Sequence, residues 1–283
     1  MPFAFLLLFA AQALATAPAF DAARAHELAH SKRWLRLLHY KTHWFTGYHS
    51  TLRGGGFFFS PEGSRDPEKE LLATARAFLG QSEEKISKLP QPAACAFPAR
   101  FRFLEEELKL GLPAPQCDRW NEFLSRFHGH KSVTLVFSTA YPNNPASMFG
   151  HTFLRINAES APNVPKADLL DTGLSYAAAV PEDANNFAFV WFGLTGGYPG
   201  TFSAIPYYAK VAEYNDSESR DLWEYDLNLS ADETWWLIAN AWELEVNGFS
   251  DYYFFDENCS FEILSLLEVA KPDWTLTDYV FHM

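Results

Sequence analysis

Two short stretches of this chain carry residue types suited to nucleophilic chemistry. Cys259 lies in Asp256-Glu257-Asn258-Cys259-Ser260-Phe261-Glu262-Ile263-Leu264, where the thiol opens a predicted helix. Unpaired backbone N–H groups at a helix start favour thiolate over thiol. His151 lies in Phe149-Gly150-His151-Thr152-Phe153-Leu154-Arg155, where a Pro/Asn-rich loop delivers an imidazole onto the first residues of a predicted strand. An imidazole beside a thiol takes its proton and holds the resulting ion pair. The expectation is a sulfur within about 4 Å of a ring nitrogen. The competing reading is an inert buried cysteine and a structural histidine.

Such a pair also needs an oxyanion site and a group that orients the ring. The backbone N–H groups at Cys259 and Ser260 are the natural oxyanion donors. Asn157, Asp171, Asn143 and Asn144 could each orient the imidazole; Asp171, on the neighbouring predicted strand, is preferred. Asn258 and Arg155 stand beside the pair as supporting residues. Other chemistries find little footing. There are 9 His, but no H-E-x-x-H and no C-x-x-C, and the imidazoles of His128-Gly129-His130 face apart, so neither a metal nor a cofactor is expected. Gly54-Gly55-Gly56 lacks the spacing of a dinucleotide loop, and no G-x-S-x-G is present.

The elements that must position these groups fall into two parts. Residues 18–130 read as a helical region. An amphipathic helix is expected over 20–41, and another from the Asp66 N-cap and Pro67 to about Leu79. A third covers 101–110. From Lys131 to the end the pattern turns to strands, expected at 133–137, 151–156, 169–177, 187–192, 202–205 and 221–227. A capping box at Ser230 and Glu233 opens a helix to about Val246. Extended residues 252–255 then lead into the Cys259 helix, which runs to about Ala270. The fold class is α+β: an antiparallel sheet with helices, preceded by a helical N-terminal region.

Of 3 Cys, Cys95 and Cys117 flank a compact segment and are the natural disulfide couple, leaving Cys259 free. Residues 1–17 are almost wholly apolar and end in two A-x-A sites, the pattern of a secretory signal, although no Lys or Arg precedes the run. No later segment reaches the ~18–20 apolar residues of a transmembrane span. The formal net charge of -13 argues against nucleic-acid partners. Aromatics make up 17% of the chain, enough to furnish both a core and a lipid-facing surface. Phe57-Phe58-Phe59, Tyr207-Tyr208 and Tyr252-Tyr253-Phe254-Phe255 are candidates for lipid contact, with core packing the fate expected of most.

Taken together, the His151 stretch, Asp256-Glu257-Asn258-Cys259-Ser260 and Cys95-x-Phe97-Pro98-Ala99-Arg100 resemble the periplasmic domain of the Lnb-type lipoprotein acyltransferases. The resemblance runs from about residue 20 to the end. The His-before-Cys order is also similar to lecithin:retinol acyltransferase-like enzymes, viewed as a circularly permuted papain-like (NlpC-type) arrangement. The resemblance implies acyl transfer on a diacylglyceryl-modified lipoprotein at a membrane surface, in the periplasm at the inner membrane. Cys259 would attack the sn-2 ester, His151 would shuttle the proton, and the lipoprotein's α-amine would resolve the thioester to an N-acylated lyso form. Enzymes of this type commonly carry membrane-spanning helices, which this chain lacks after its signal, so a fragment is one expectation. A papain-like hydrolase and a non-catalytic binding domain are the alternatives.

Overall fold

The computed structural model describes residues 22–54, 56–80, 90–127, 129, 131–140, 150–158, 168–181, 185–217, 219–255 and 257–279. The expected signal at 1–17 lies outside these residues, as do His128, His130, Asn143 and Asn144. The class is α+β. Among the described residues nine strands form two sheets: β1 (Tyr40–His43) and β2 (Gly47–Ser50) make a hairpin, and seven others form one sheet. In chain order these are β3 (Leu52–Arg53), β4 (Ser132–Ser138), β5 (His151–Asn157), β6 (Thr172–Ala178), β7 (Tyr198–Pro206), β8 (Leu222–Leu227) and β9 (Phe249–Tyr252). Their spatial order is β3-β9-β7-β6-β5-β4-β8, every neighbour antiparallel.

Alternation along β5 sets two faces. Thr152, Leu154 and Ile156 turn toward the main core, with Val133, Leu174, Tyr176 and Phe202 of neighbouring strands. Two long helices cover this face, α9 (Ala231–Asn247) and α10 (Cys259–Ala270). The capping box at Ser230 and Glu233 opens α9 as expected. On the opposite face Phe153 and Val136 pack with Tyr207 and Tyr214, from α8 (Tyr207–Val211) and the π-helical turn that continues it.

The N-terminal part contributes α1 (Ala22–Ala29), α2 (Lys32–Leu37), α3 (Pro67–Phe78), α4 (Ala93–Ala96), α5 (Pro98–Leu108) and α6 (Asp118–Ser125). Helix α3 starts as expected, with Asp66 accepting the Lys69 N–H. The single helix expected over 20–41 is broken. Ser31 caps a second helix by accepting the Trp34 N–H, and His39, at φ +51°, turns the chain out into β1. Residues on both sides of position 130 share one core: Trp34, Leu37, Phe97 and Phe103 belong to the same cluster as Leu154, Leu237 and Ile263. A buried charge cluster spans it too. Arg100 on α5 meets Glu70 of α3 at 3.2 Å and Glu243 of α9 at 3.3 Å, and its guanidinium stacks on Phe57 and Phe97. Burial pushes both carboxyls up to about 7 even against the Arg100 charge. The expected disulfide, Cys95–Cys117, is formed.

The strand expected over 187–192 is a helix, α7 (Asn186–Thr195). A short apolar, aromatic run has no periodicity that separates strand from helix. The ends decide it. Asn185 accepts the Ala188 N–H at the start, and Gly196 takes the left-handed conformation at the finish. Of the aromatic runs considered for lipid contact, Phe57, Tyr207, Tyr252 and Phe254 are buried, whereas Tyr208 and Phe255 are exposed.

Candidate active site

The ladder around β5 is unequal on its two edges. Pairing with β4 extends from Ser132↔Asn157 to Ser138↔His151, but pairing with β6 covers only Phe153↔Ser175 to Ile156↔Thr172. The first two residues of β5 are therefore left out of the β5–β6 ladder, although β6 itself runs on to Ala178. The start of α10 occupies this position: the Thr152 backbone N–H lies within hydrogen-bonding reach of the Cys259 sulfur, and Thr152 Oγ1 and Ser260 Oγ are 2.8 Å apart. Gly150 delivers the strand. It sits at φ +97°, and a Cβ there would fall 2.6 Å from the Phe137 ring and 2.7 Å from the Ser138 carbonyl oxygen, so only glycine fits.

Cys259 is 5% exposed and is the free thiol among the three cysteines. Burial acts to raise its pKa. The charge and hydrogen bond of His151, the Thr152 N–H and the Tyr252 hydroxyl outweigh that, and the thiol is brought down to about 7. The sulfur and the imidazole thus meet within hydrogen-bonding reach. His151 Nε2 lies 3.0 Å from Ser175 Oγ. The tautomer that donates Nε2–H to Ser175 leaves the Nδ1 lone pair for the thiol proton. The ring packs beside Phe153 and Tyr214, at 6.2 and 6.0 Å between centroids, and those two rings are 5.8 Å from each other.

The preferred orienting group, Asp171, does not serve that purpose. The β5–β6 register puts it beside Asn157, roughly 20 Å along the strand from His151 at 3.3 Å per residue. There Asp171 accepts the Ala158 N–H at 2.9 Å and faces Arg155 at 3.7 Å. Asn157, another candidate, accepts from Arg155 Nε at 2.9 Å at the same end. Arg155 also pairs with Glu224 at 3.0 Å and lies over the Tyr207 ring. It clamps the sheet to α8 and does not reach the thiol end of β5. Ser175 takes the orienting position. Its parity on the strand is that of Asp171, so alternation alone marks both, and only the register separates them.

The Ser260 N–H, an expected oxyanion donor, is engaged elsewhere. Asn258 caps α10 by accepting from the Ser260 N–H at 3.0 Å and the Phe261 N–H at 3.2 Å. Tyr252, at the end of β9, was not among the expected catalytic residues. Its hydroxyl contacts both the Cys259 sulfur and the Cys259 N–H. Burial, then the adjacent Cys259 charge, raise its pKa, so it stays a protonated donor. A second buried chain of contacts reaches the site from the N-terminal part. His39 meets Asn240 at 3.2 Å and Glu262 of α10 at 3.6 Å. Glu262 accepts from Ser250 at 2.9 Å, Ser250 hydrogen-bonds Tyr176, and Tyr176 stacks on Tyr252 at 5.8 Å.

The assembly sets a buried thiol, its pKa brought down to about 7, against an imidazole that meets Ser175, with the Tyr252 hydroxyl beside the sulfur. That is the equipment for attack on an acyl carbon. Among the described residues, no group of three or more His, Cys, Asp or Glu is placed to hold a metal, and no helix is long and apolar enough to cross a membrane. Residues 121–282 match the model of a family described as the Lnb N-terminal periplasmic domain, a match covering more than half of the chain. Residues 26–107 match a domain of unknown function, DUF7843. No curated protein and no solved structure matches.

Proposed function

Since the chain belongs to the Lnb N-terminal periplasmic domain family, we propose that its thiol site transfers an acyl chain within a bacterial lipoprotein, from the sn-2 ester of a diacylglyceryl-cysteine to the α-amine of the same residue. The observation that carries this reading is the buried Cys259 sulfur within hydrogen-bonding reach of His151. In the first half-reaction His151 takes the thiol proton and the thiolate attacks the ester carbonyl carbon. The resulting oxyanion is assigned to the Tyr252 hydroxyl, the protonated donor beside the sulfur. The carbon–oxygen bond breaks, and the imidazolium protonates the departing glyceryl alkoxide. A thioester on Cys259 and a lyso-glyceryl group result.

In the second half-reaction the lipoprotein's α-amine attacks the thioester, His151 takes the amine proton, and the carbon–sulfur bond breaks to return the thiolate. The product is an amide. The chemistry runs downhill because an amide is more stable than a thioester or an ester, and it is helped in rate because an amine attacks a thioester more readily than an ester. A periplasmic family fits an extracytoplasmic site of action; placement at the inner membrane, where lipoproteins are matured, belongs to this proposal. Intact-mass spectrometry of the protein mixed with a diacylglyceryl lipopeptide tests it. An acyl adduct on Cys259, absent in Cys259→Ala, and an N-acylated lyso product are expected. Release of free fatty acid without amide would make the protein a hydrolase. Unaltered lipopeptide with the folded wild type would remove an acyl-transfer role.

A further inference from the structure

Helix α7 is apolar where it should be polar. Its ten residues, Asn186–Thr195, carry no charge. One side faces the protein: Phe189 packs on Tyr198 and Phe254, and Gly193 lies so close to Phe254 that a Cβ would fall 2.1 Å from the ring. The opposite stripe, Phe187, Val190, Trp191 and Leu194, follows the i, i+3, i+4, i+7 spacing that normally faces a core. Here it faces solvent, with Phe187 79% and Trp191 56% exposed. The rings of Phe187 and Trp191 lie parallel, one turn apart, at 6.5 Å. Together they form an apolar ridge.

This ridge is continuous with the thiol site. The Gly193 carbonyl accepts the Phe254 N–H at 2.9 Å, and Gly196 lies against Tyr253. The Phe254 carbonyl accepts from the Asn258 side chain at 3.3 Å. The segment that leads to Cys259 is therefore fastened to α7 on one side and to the cap of α10 on the other.

We propose that α7 lies in the surface of a phospholipid bilayer, burying Phe187, Val190, Trp191 and Leu194 among the acyl chains and holding the thiol site against the membrane. The inference rests on the acyl-transfer reading for its purpose, because a lipid ester must be lifted to a sulfur that is itself buried. It rests on the helix alone for its chemistry. A protein partner is oriented by hydrogen bonds and charges amid apolar contacts, and this stripe offers neither. A bilayer interface asks only for an apolar stripe with aromatic rings at headgroup level. At about 1.5 Å per residue, ten residues span about half of a ~30 Å hydrocarbon core, so the helix lies in the plane and does not cross. The net charge of -13 gives no attraction to anionic lipid, which makes insertion apolar and insensitive to salt.

Flotation of the full chain with phosphatidylcholine vesicles tests this, with Phe187→Ser and Trp191→Ser combined in one variant. Wild type should float with the vesicles equally at low and high salt. The double variant should lose partition by about a hundredfold, about tenfold for each aromatic removed, while its Cys259 reacts with iodoacetamide at the wild-type rate. A wild type that stays in the soluble fraction, or a double variant that floats as well as wild type, overturns the proposal. So does a wild-type dimer, without vesicle binding, that the double variant converts to monomer; the ridge would then belong to a second copy. Flotation that depends on α7 in a protein without transacylase activity would leave this inference standing and remove the proposed function.

Discussion

At Cys259 two opposing influences meet, burial and the imidazole, and their balance is measurable. Because the thiolate is the reactive form, alkylation by iodoacetamide should rise with pH through a midpoint near 7. His151→Ala removes the main lowering influence and leaves burial, so its midpoint should move well above 7. At neutral pH its rate should then fall by at least about tenfold. An unchanged midpoint would mean that His151 does not ionise the thiol. Ser175 and Asp171 make a second contrast. Ser175→Ala, which frees the ring, should lower transfer by about tenfold or more. Asp171→Asn, remote from the ring but facing Arg155, should lower the melting temperature and leave the alkylation profile in place. The reverse pattern would return the orienting role to Asp171. Cys259 and His151 were legible as a candidate pair because each sits in a distinctive local setting, a helix start and a glycine-led strand. Their partners were not. Ser175 and Tyr252 are chosen by register and by contacts distant in sequence, and no local pattern encodes either.

The elements show where local signals suffice. Helix α9 announces itself through a capping box and α3 through Asp66 and Pro67, and both begin where expected. Strands β4, β5 and β8 follow their alternation. Helix α7 does not, since an apolar run reads equally as buried strand, and its deciding features are single capping residues at each end. The entry to β5 is the most constrained point of the site. Gly150→Ala would force a Cβ against the Ser138 carbonyl, which cannot move without breaking the β4–β5 ladder. A cost of about 1–3 kcal/mol is expected, with a drop in melting temperature and slower alkylation of Cys259 as His151 shifts. A variant as stable and as reactive as wild type would show that the close approach is not enforced.

Across the whole molecule, the N-terminal part and the sheet are bound by one core and by the Arg100 cluster, while the disulfide closes a loop within the N-terminal part. Composition signalled the disulfide, because three cysteines leave one odd thiol. Nothing in the sequence signalled that His39 reaches Glu262 beneath the thiol helix, a contact between residues more than two hundred positions apart. Cys95→Ser should destabilise the protein by about 3 kcal/mol, read as a melting temperature lower by several degrees under non-reducing conditions. An unchanged melting curve would show that the bridge adds nothing to stability.

Three sulfurs can pair in three ways, and two of those pairings would consume the nucleophile. The bridged cysteines are 22 residues apart, on either side of one short helix, while the third stands at the head of the last long helix. A polypeptide threaded into the periplasm amino end first presents the neighbouring two together and can close them before the third arrives. The late arrival then folds beside Tyr252 and is buried. Refolding from the fully reduced chain, where all three are present at once, should give a share of bridges to Cys259 on peptide mapping that export avoids.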